Sequence, residues 1–99
     1  MIRPSKVHFP TDTVPVEYVW TNDTDYGEFI TLRNTIEVNQ NLSDDVMRQT
    51  LLHELLHAIE SHNSGITLLT ETQVEHISSY LLYILRNNDE LLTYLTHND

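Results

Sequence analysis

Two histidines and a glutamate interrupt an otherwise apolar run, "TLLHELLHAIE", Thr50 to Glu60. Burying such groups without partners costs several kcal/mol, so they must either face water or hold something. On an α-helix, residues four apart share a face, with Cβ atoms about 5–6 Å apart. His53 and His57 therefore offer two imidazoles side by side, a bite that suits one tetrahedral Zn²⁺. Glu54 stands beside them without needing to ligate, placed to take a proton from a water that zinc acidifies. This is the H-E-x-x-H arrangement, and its chemistry is hydrolysis of a carbonyl compound by activated water, with Glu54 as general base and then general acid. The competing explanation is a satisfied structural histidine pair. The uncharged flanks favour the metal, because a surface helix would carry charge on several sides.

A catalytic zinc needs a third protein ligand and an open position. His62 is close in sequence, but the H-E-x-x-H-x-x-G-x-x-H pattern would require glycine where this chain has Glu60 and histidine where it has Asn63. His62 is out of register by one and is rejected as a ligand. A second helix, opening at "LTETQV", places Glu71, Glu75, Ser78 and Leu82 on one stripe. Glu71 is the expected third ligand. Glu75 is the alternative ligand, or else the carboxylate that orients a ligand histidine through its free N–H. A third possibility is that neither ligates, Glu71 being merely an acidic residue favoured in a helix first turn.

The elements that must position these groups follow from the pattern. All three prolines, Pro4, Pro10 and Pro15, fall in the first fifteen residues, so residues 1–13 read as an extended arm. Val14, Val16, Tyr18 and Trp20 alternate as one face of a half-buried strand. "EFITLRNTIEV" reads as two short strands, with Ile30 and Leu32 before a tight Arg33-Asn34 turn and Ile36 and Val38 after it. Ser43 caps the first helix, Asp44 and Asp45 suit its positive end, and Gly65 helps to end it. Thr70 and Gln73 form a capping box for the second helix, flanked by a Leu69–Val74 staple. That helix should run to about Arg86, with "RNND" as the stop and a short third helix, "ELLTYLTH", beyond. The expectation is one α+β domain, residues 1–99: a small antiparallel β-sheet followed by the H-E-x-x-H helix and a glutamate-bearing helix, a minimal zincin-like arrangement.

Composition bounds the function classes. Ninety-nine residues suffice for one modest core, since a chain of this size buries roughly 60–70% of its unfolded surface. The absence of cysteine excludes disulfides, thiol nucleophiles and zinc ribbons, so a metal must be held by histidine and carboxylate. Five basic against fifteen acidic residues give a net charge of −10. Such a chain lacks the basic patch that nucleic acid or an anionic membrane would need. No secretory h-region or membrane-length apolar run is present, so a cytoplasmic protein is the default expectation.

"TLLHELLHAI" followed by "LTETQVEHISSYLLYILRNNDEL" resembles the small zinc metallopeptidases of bacteriophages and prophages. Those proteins run a Tyr-Gly-containing hairpin, then "LLHE-x-x-HA", then a glutamate-led helix ending near "L-x-x-N-x-EL". Tyr26-Gly27, His53-Glu54-x-x-His57-Ala58 and Leu85 to Leu91 match in that order. The resemblance covers most of the chain from about Val14 onward and is most specific in the first helix. More distantly the layout is similar to the gluzincins, including the anti-repressor peptidase domain, in which a helix carries E-x-x-x-D/N with the first acid on zinc. "ETQVE" fits with Glu71 first and Glu75 last, glutamate standing where Asp or Asn is usual.

The resemblance implies a peptidase acting on a peptide or protein substrate, in a bacterial cytoplasm if phage-encoded. An extended substrate would pair with the edge strand of the sheet. Tyr26, His76, Tyr80 and Tyr83 are the candidate oxyanion donors. The alternative is a non-catalytic acidic protein-binding module of phage type, with structural zinc or none.

Overall fold

The computed structural model describes residues 2–20, 25–64 and 68–98. Four strands come first: β1 (Lys6–His8), β2 (Thr13–Val19), β3 (Gly27–Ile30) and β4 (Thr35–Asn39). Three helices follow: α1 (Asp44–Ser64), α2 (Glu71–Arg86) and α3 (Asp89–Leu95). The α+β class and the order of elements are as expected; three details of the sheet are not.

The sheet is mixed rather than antiparallel. Its order is β1-β2-β4-β3, with β2 and β4 parallel and the two outer pairs antiparallel. Four of the five β4 residues are buried, which puts β4 in the interior and leaves β3 at the edge beside α1. Alternation along a strand identifies its apolar face but carries no information about which neighbour it takes.

The expected arm also contains structure. β1 pairs with β2 through Val7↔Val14, the turn being closed by the Phe9 N–H on the Asp12 carbonyl at 2.8 Å. The prolines do not forbid this. Pro4 and Pro10 flank β1, and Pro15 precedes Val16, where pairing with β4 begins. Tyr18 fastens the chain further by donating its hydroxyl to the Pro4 carbonyl at 2.8 Å.

The third difference is at Leu32. It is 98% exposed and lies in a 3₁₀ turn, Thr31–Arg33, that ends at Asn34 in the left-handed region (φ 49°). Asparagine tolerates that conformation, so the reversal uses four residues and Leu32 leaves the strand. Trp20 also falls just beyond β2 and is exposed. The loop residues 21–24 and the helix stop at Gly65 lie outside the described residues.

Val14, Val16, Ile36 and Val38 on the sheet meet Met47 and Ala58 of α1, with Leu51 and Leu55 packed against them. Ser43 begins α1, its hydroxyl accepting from the Val46 N–H at 3.4 Å. The Thr70–Gln73 box begins α2 as expected, with both reciprocal hydrogen bonds present. Asn87 and Asn88 end α2, donating their side-chain amides to the Tyr83 and Ile84 carbonyls. α2 buries Val74, and it is tied to α1 by Gln49, whose amide donates to the hydroxyls of Ser78 (2.9 Å) and Ser79 (3.0 Å). Among the described residues no helix is long and apolar enough to cross a membrane.

Gly27 fixes how near the sheet lies to α1. A Cβ there would sit 2.7 Å from the Glu37 carbonyl oxygen and 2.8 Å from Thr50 Cγ2, with Glu54 Cγ next at 3.5 Å. Gly27→Ala is therefore expected to destabilise the fold by about 1–3 kcal/mol, the usual scale of overpacking. Urea unfolding measures it, and an unchanged midpoint would mean that β3 and α1 are not in this contact.

Candidate metal centre

Helix α1 carries His53 and His57 one turn apart, their rings 5.1 Å between centroids and nearly edge to face. Their side chains are 13% and 19% exposed. Both Nε2 atoms point at a single carboxylate on α2. His53 Nε2 lies 3.1 Å from Glu71 Oε2, and His57 Nε2 lies 2.7 Å from Glu71 Oε1. One donor atom from each of the three residues falls within a 4.8 Å sphere of separations. Tetrahedral zinc with N and O ligands at about 2.0–2.1 Å holds those atoms about 3.3 Å apart. The donor set could hold a divalent cation once these atoms draw together from separations of up to 4.8 Å. Glu71 is 75% exposed, so the centre opens outward, into a cleft of about 700 Å³ that Tyr26, Gly27, Thr50 and Leu82 also line.

The other ring nitrogens face carboxylates as well. His53 Nδ1 donates to Glu75 Oε2 at 2.8 Å, the contact expected of a carboxylate that orients that ring. His57 Nδ1 lies 3.4 Å from Glu60 Oε1. In the metal-free structure both His53 nitrogens therefore donate to carboxylates, Nδ1 to Glu75 and Nε2 to Glu71. A cation would take the place of the Nε2 proton, while Glu75 keeps Nδ1 protonated.

Glu54 is buried where α1 passes over Gly27. Its Oε1 accepts the backbone N–H of Phe29 on β3 at 3.0 Å, and its Oε2 lies 4.0 Å from His53 Nε2. One oxygen is thus anchored by the sheet and the other is directed at the donor set. Burial pushes the Glu54 carboxyl above its ordinary range, against the opposing pull of His53, His57 and the Phe29 N–H. For His53, burial alone would lower the pKa. The hydrogen bond to Glu75 and the nearby Glu54 and Glu71 outweigh it, and the ring is held above its ordinary value.

His62, rejected as a ligand from its spacing, faces the other way. Its Nδ1 donates to the Ala58 carbonyl at 2.8 Å, and its Nε2 reaches Asp12 at 3.1 Å with Phe9 stacked 4.5 Å from its ring. It ties the β1–β2 turn to α1. Of the four candidate oxyanion donors, Tyr26 lines the cleft, whereas His76, Tyr80 and Tyr83 do not and lie exposed on α2. Sequence reasoning missed two groups. The Phe29 N–H carries no sequence signal, because any strand residue has one. Glu60 did carry a signal, its i,i+3 spacing from His57 on one helix face. The Leu69 N–H above all, with that of Leu68 and despite burial, holds the Glu60 carboxyl below its usual range.

No protein-family model, curated protein or solved structure matches the chain. The function must therefore be argued from the site.

Two expectations follow from this geometry. A histidine with a raised pKa contributes stability that is complete below its unfolded value and lost as pH rises through the folded one; a carboxyl with a raised pKa acts in the same direction. The metal-free protein should thus lose these contributions as pH rises. Zinc requires the imidazoles unprotonated, so its binding strengthens over the same range. The rise in Tm on adding zinc should grow between about pH 6 and pH 8 and disappear with chelator. At a thousandfold excess over Kd the gain is about 4 kcal/mol. A chelator-insensitive Tm in a zinc-loaded sample would rule the centre out.

The second expectation separates the two α2 carboxylates. Glu71→Ala should remove most zinc affinity, whereas Glu75→Ala, which strips only the partner of His53, should weaken it by ~10–100-fold. Zinc titration of both variants decides, and a reversed order would make Glu75 the ligand.

Proposed function

We propose that this protein is a minimal zinc-dependent metallopeptidase, with His53, His57 and Glu71 as zinc ligands and Glu54 as the general base. The observation that carries this reading is the convergence of both histidine Nε2 atoms on the Glu71 carboxylate, with Glu54 Oε2 beside them. The resemblance of "LLHELLHA" and "ETQVE" to phage metallopeptidases and gluzincins supports it. When bound, zinc would supply a Lewis acid that polarises the substrate carbonyl and acidifies water.

The chain's own residues would do the rest. Phe29 holds Glu54 Oε1, so Oε2 is the oxygen that exchanges protons. A carboxylate made more basic by burial accepts a proton from water more readily at neutral pH. As the new C–O bond forms and the C–N bond breaks, Glu54 returns that proton to the departing amine. β3 is an edge strand bordering the cleft, so an extended peptide would add beside it through main-chain hydrogen bonds. Tyr26, at the cleft wall, is the candidate donor to the developing oxyanion.

Glu54→Gln tests the assignment. The amide keeps the shape and cannot take the proton, so zinc content should stay near wild type. Hydrolysis of a mixed peptide library, followed by mass spectrometry, should fall by at least ~10²-fold. Undiminished hydrolysis in the variant would remove Glu54 from the chemistry. A zinc-loaded wild type that cleaves nothing would favour the alternative, an acidic binding module with structural metal.

A further inference from the structure

Glu60 sits near the C-terminal end of α1, where the helix dipole disfavours a negative charge. It is also only 9% exposed, so it serves neither solubility nor a surface ion pair. Its Oε2 accepts two backbone N–H groups, Leu68 at 2.7 Å and Leu69 at 2.8 Å. Its Oε1 lies 3.4 Å from His57 Nδ1, an ion-pair contact rather than a hydrogen bond. Leu69 directly precedes Thr70, the cap of α2, and Glu71 is the first residue of that helix. The contacts close a ring: His57 to Glu60, Glu60 to the Leu68–Leu69 backbone, two residues on to Glu71, and from Glu71 Oε1 back to His57 Nε2 at 2.7 Å.

We infer that Glu60 is a positioning residue for the metal centre, its buried carboxylate tying the His57 imidazole to the backbone that leads into α2 and so setting Glu71 opposite His57. This rests on the reading of His53, His57 and Glu71 as ligands. The two histidines are braced differently. Glu75 braces His53 from α2 alone. Glu60 braces His57 from the same helix and also grips the segment that delivers the third ligand, so orientation of one ligand and placement of another depend on one side chain.

The chemistry requires a carboxylate. Glutamine at this position could accept the two N–H groups through its carbonyl oxygen, but its amide NH₂ would then meet the His57 Nδ1–H, donor against donor. Leucine would fill the volume and make neither contact. Glu60→Gln therefore keeps the tether to α2 and removes the grip on His57, whereas Glu60→Leu removes both.

The experiment is Co²⁺ titration, followed by visible d–d absorption, of the wild type and both variants, with circular dichroism on the metal-free proteins. Wild type should take up one Co²⁺ with the intense bands of a tetrahedral site. Glu60→Gln should keep its helical signal, bind Co²⁺ ~10–100-fold more weakly, the scale for losing such a partner, and show shifted bands. Glu60→Leu should bind more weakly still. The wild type supplies a second measurement that does not depend on the variants folding: Zn²⁺ should slow amide hydrogen exchange at Leu68 and Leu69, because coupling through Glu60 is reciprocal. Unchanged affinity and spectrum in Glu60→Gln, or exchange at Leu68 and Leu69 indifferent to Zn²⁺, overturns the role of Glu60 and leaves the centre standing. A wild type that takes up no Co²⁺ overturns the metal reading itself, and this role with it.

Discussion

Between His53 and Glu60, helix α1 puts four ionisable side chains, His53, Glu54, His57 and Glu60, where water hardly reaches, and each must find a partner. Leaving such groups unpaired in a low-dielectric setting is far more costly than any single apolar contact on this chain is favourable. No partner can come from the apolar residues of α1 around them. They come instead from β3, through the Phe29 N–H, from the segment before α2, through Leu68 and Leu69, and from α2 itself, through Glu71 and Glu75. The elements surrounding α1 are held at the distances that satisfy this row of groups.

That requirement gives the two halves of the molecule different characters. The sheet and the inner face of α1 are joined by a conventional core of Val14, Val16, Ile36, Val38, Met47 and Ala58. α2 contributes little of this, its buried residues being Val74 and Ser78. Polar links take over: Gln49 to Ser78 and Ser79, Asp45 to Arg86, and the carboxylate–imidazole contacts. Links of this kind specify geometry more than they add stability. A cation shared between the helices would contribute most where the apolar packing contributes least.

The close approach at Gly27 matters for the same reason. Any side chain there would lift α1 off the edge strand and take Glu54 away from the Phe29 N–H. Gly27 thus has a steric role, and the direction of the Glu54 carboxylate depends on it. On the far side of α1, His62 shows a similar imidazole put to another use, fastening the β1–β2 turn through Asp12 and Phe9.

The local elements were legible because their causes are local. The extent of α2, its Thr70–Gln73 box, the Ser43 start of α1 and the His53–His57 bite depend on residues within a turn or two of each other. What the sequence left open depends on groups distant along the chain. Nothing in the strand pattern says that β4 takes the centre of the sheet, that the proline-bearing arm pairs with β2, or that Leu32 turns outward. Strand order is chosen by comparing total burial, which no single segment encodes. The sequence put Glu71 ahead of Glu75 as the expected ligand but could not say which atoms would meet. Tertiary structure sets α2 in a register where Glu71 faces both Nε2 atoms and Glu75 meets the Nδ1 of His53. Glu60 was visible at helical spacing from His57, yet its second partner, the backbone of Leu68 and Leu69, exists only once the chain has doubled back. Side-chain chemistry and helical spacing were written in the sequence; which oxygen faces which nitrogen was decided by long-range packing.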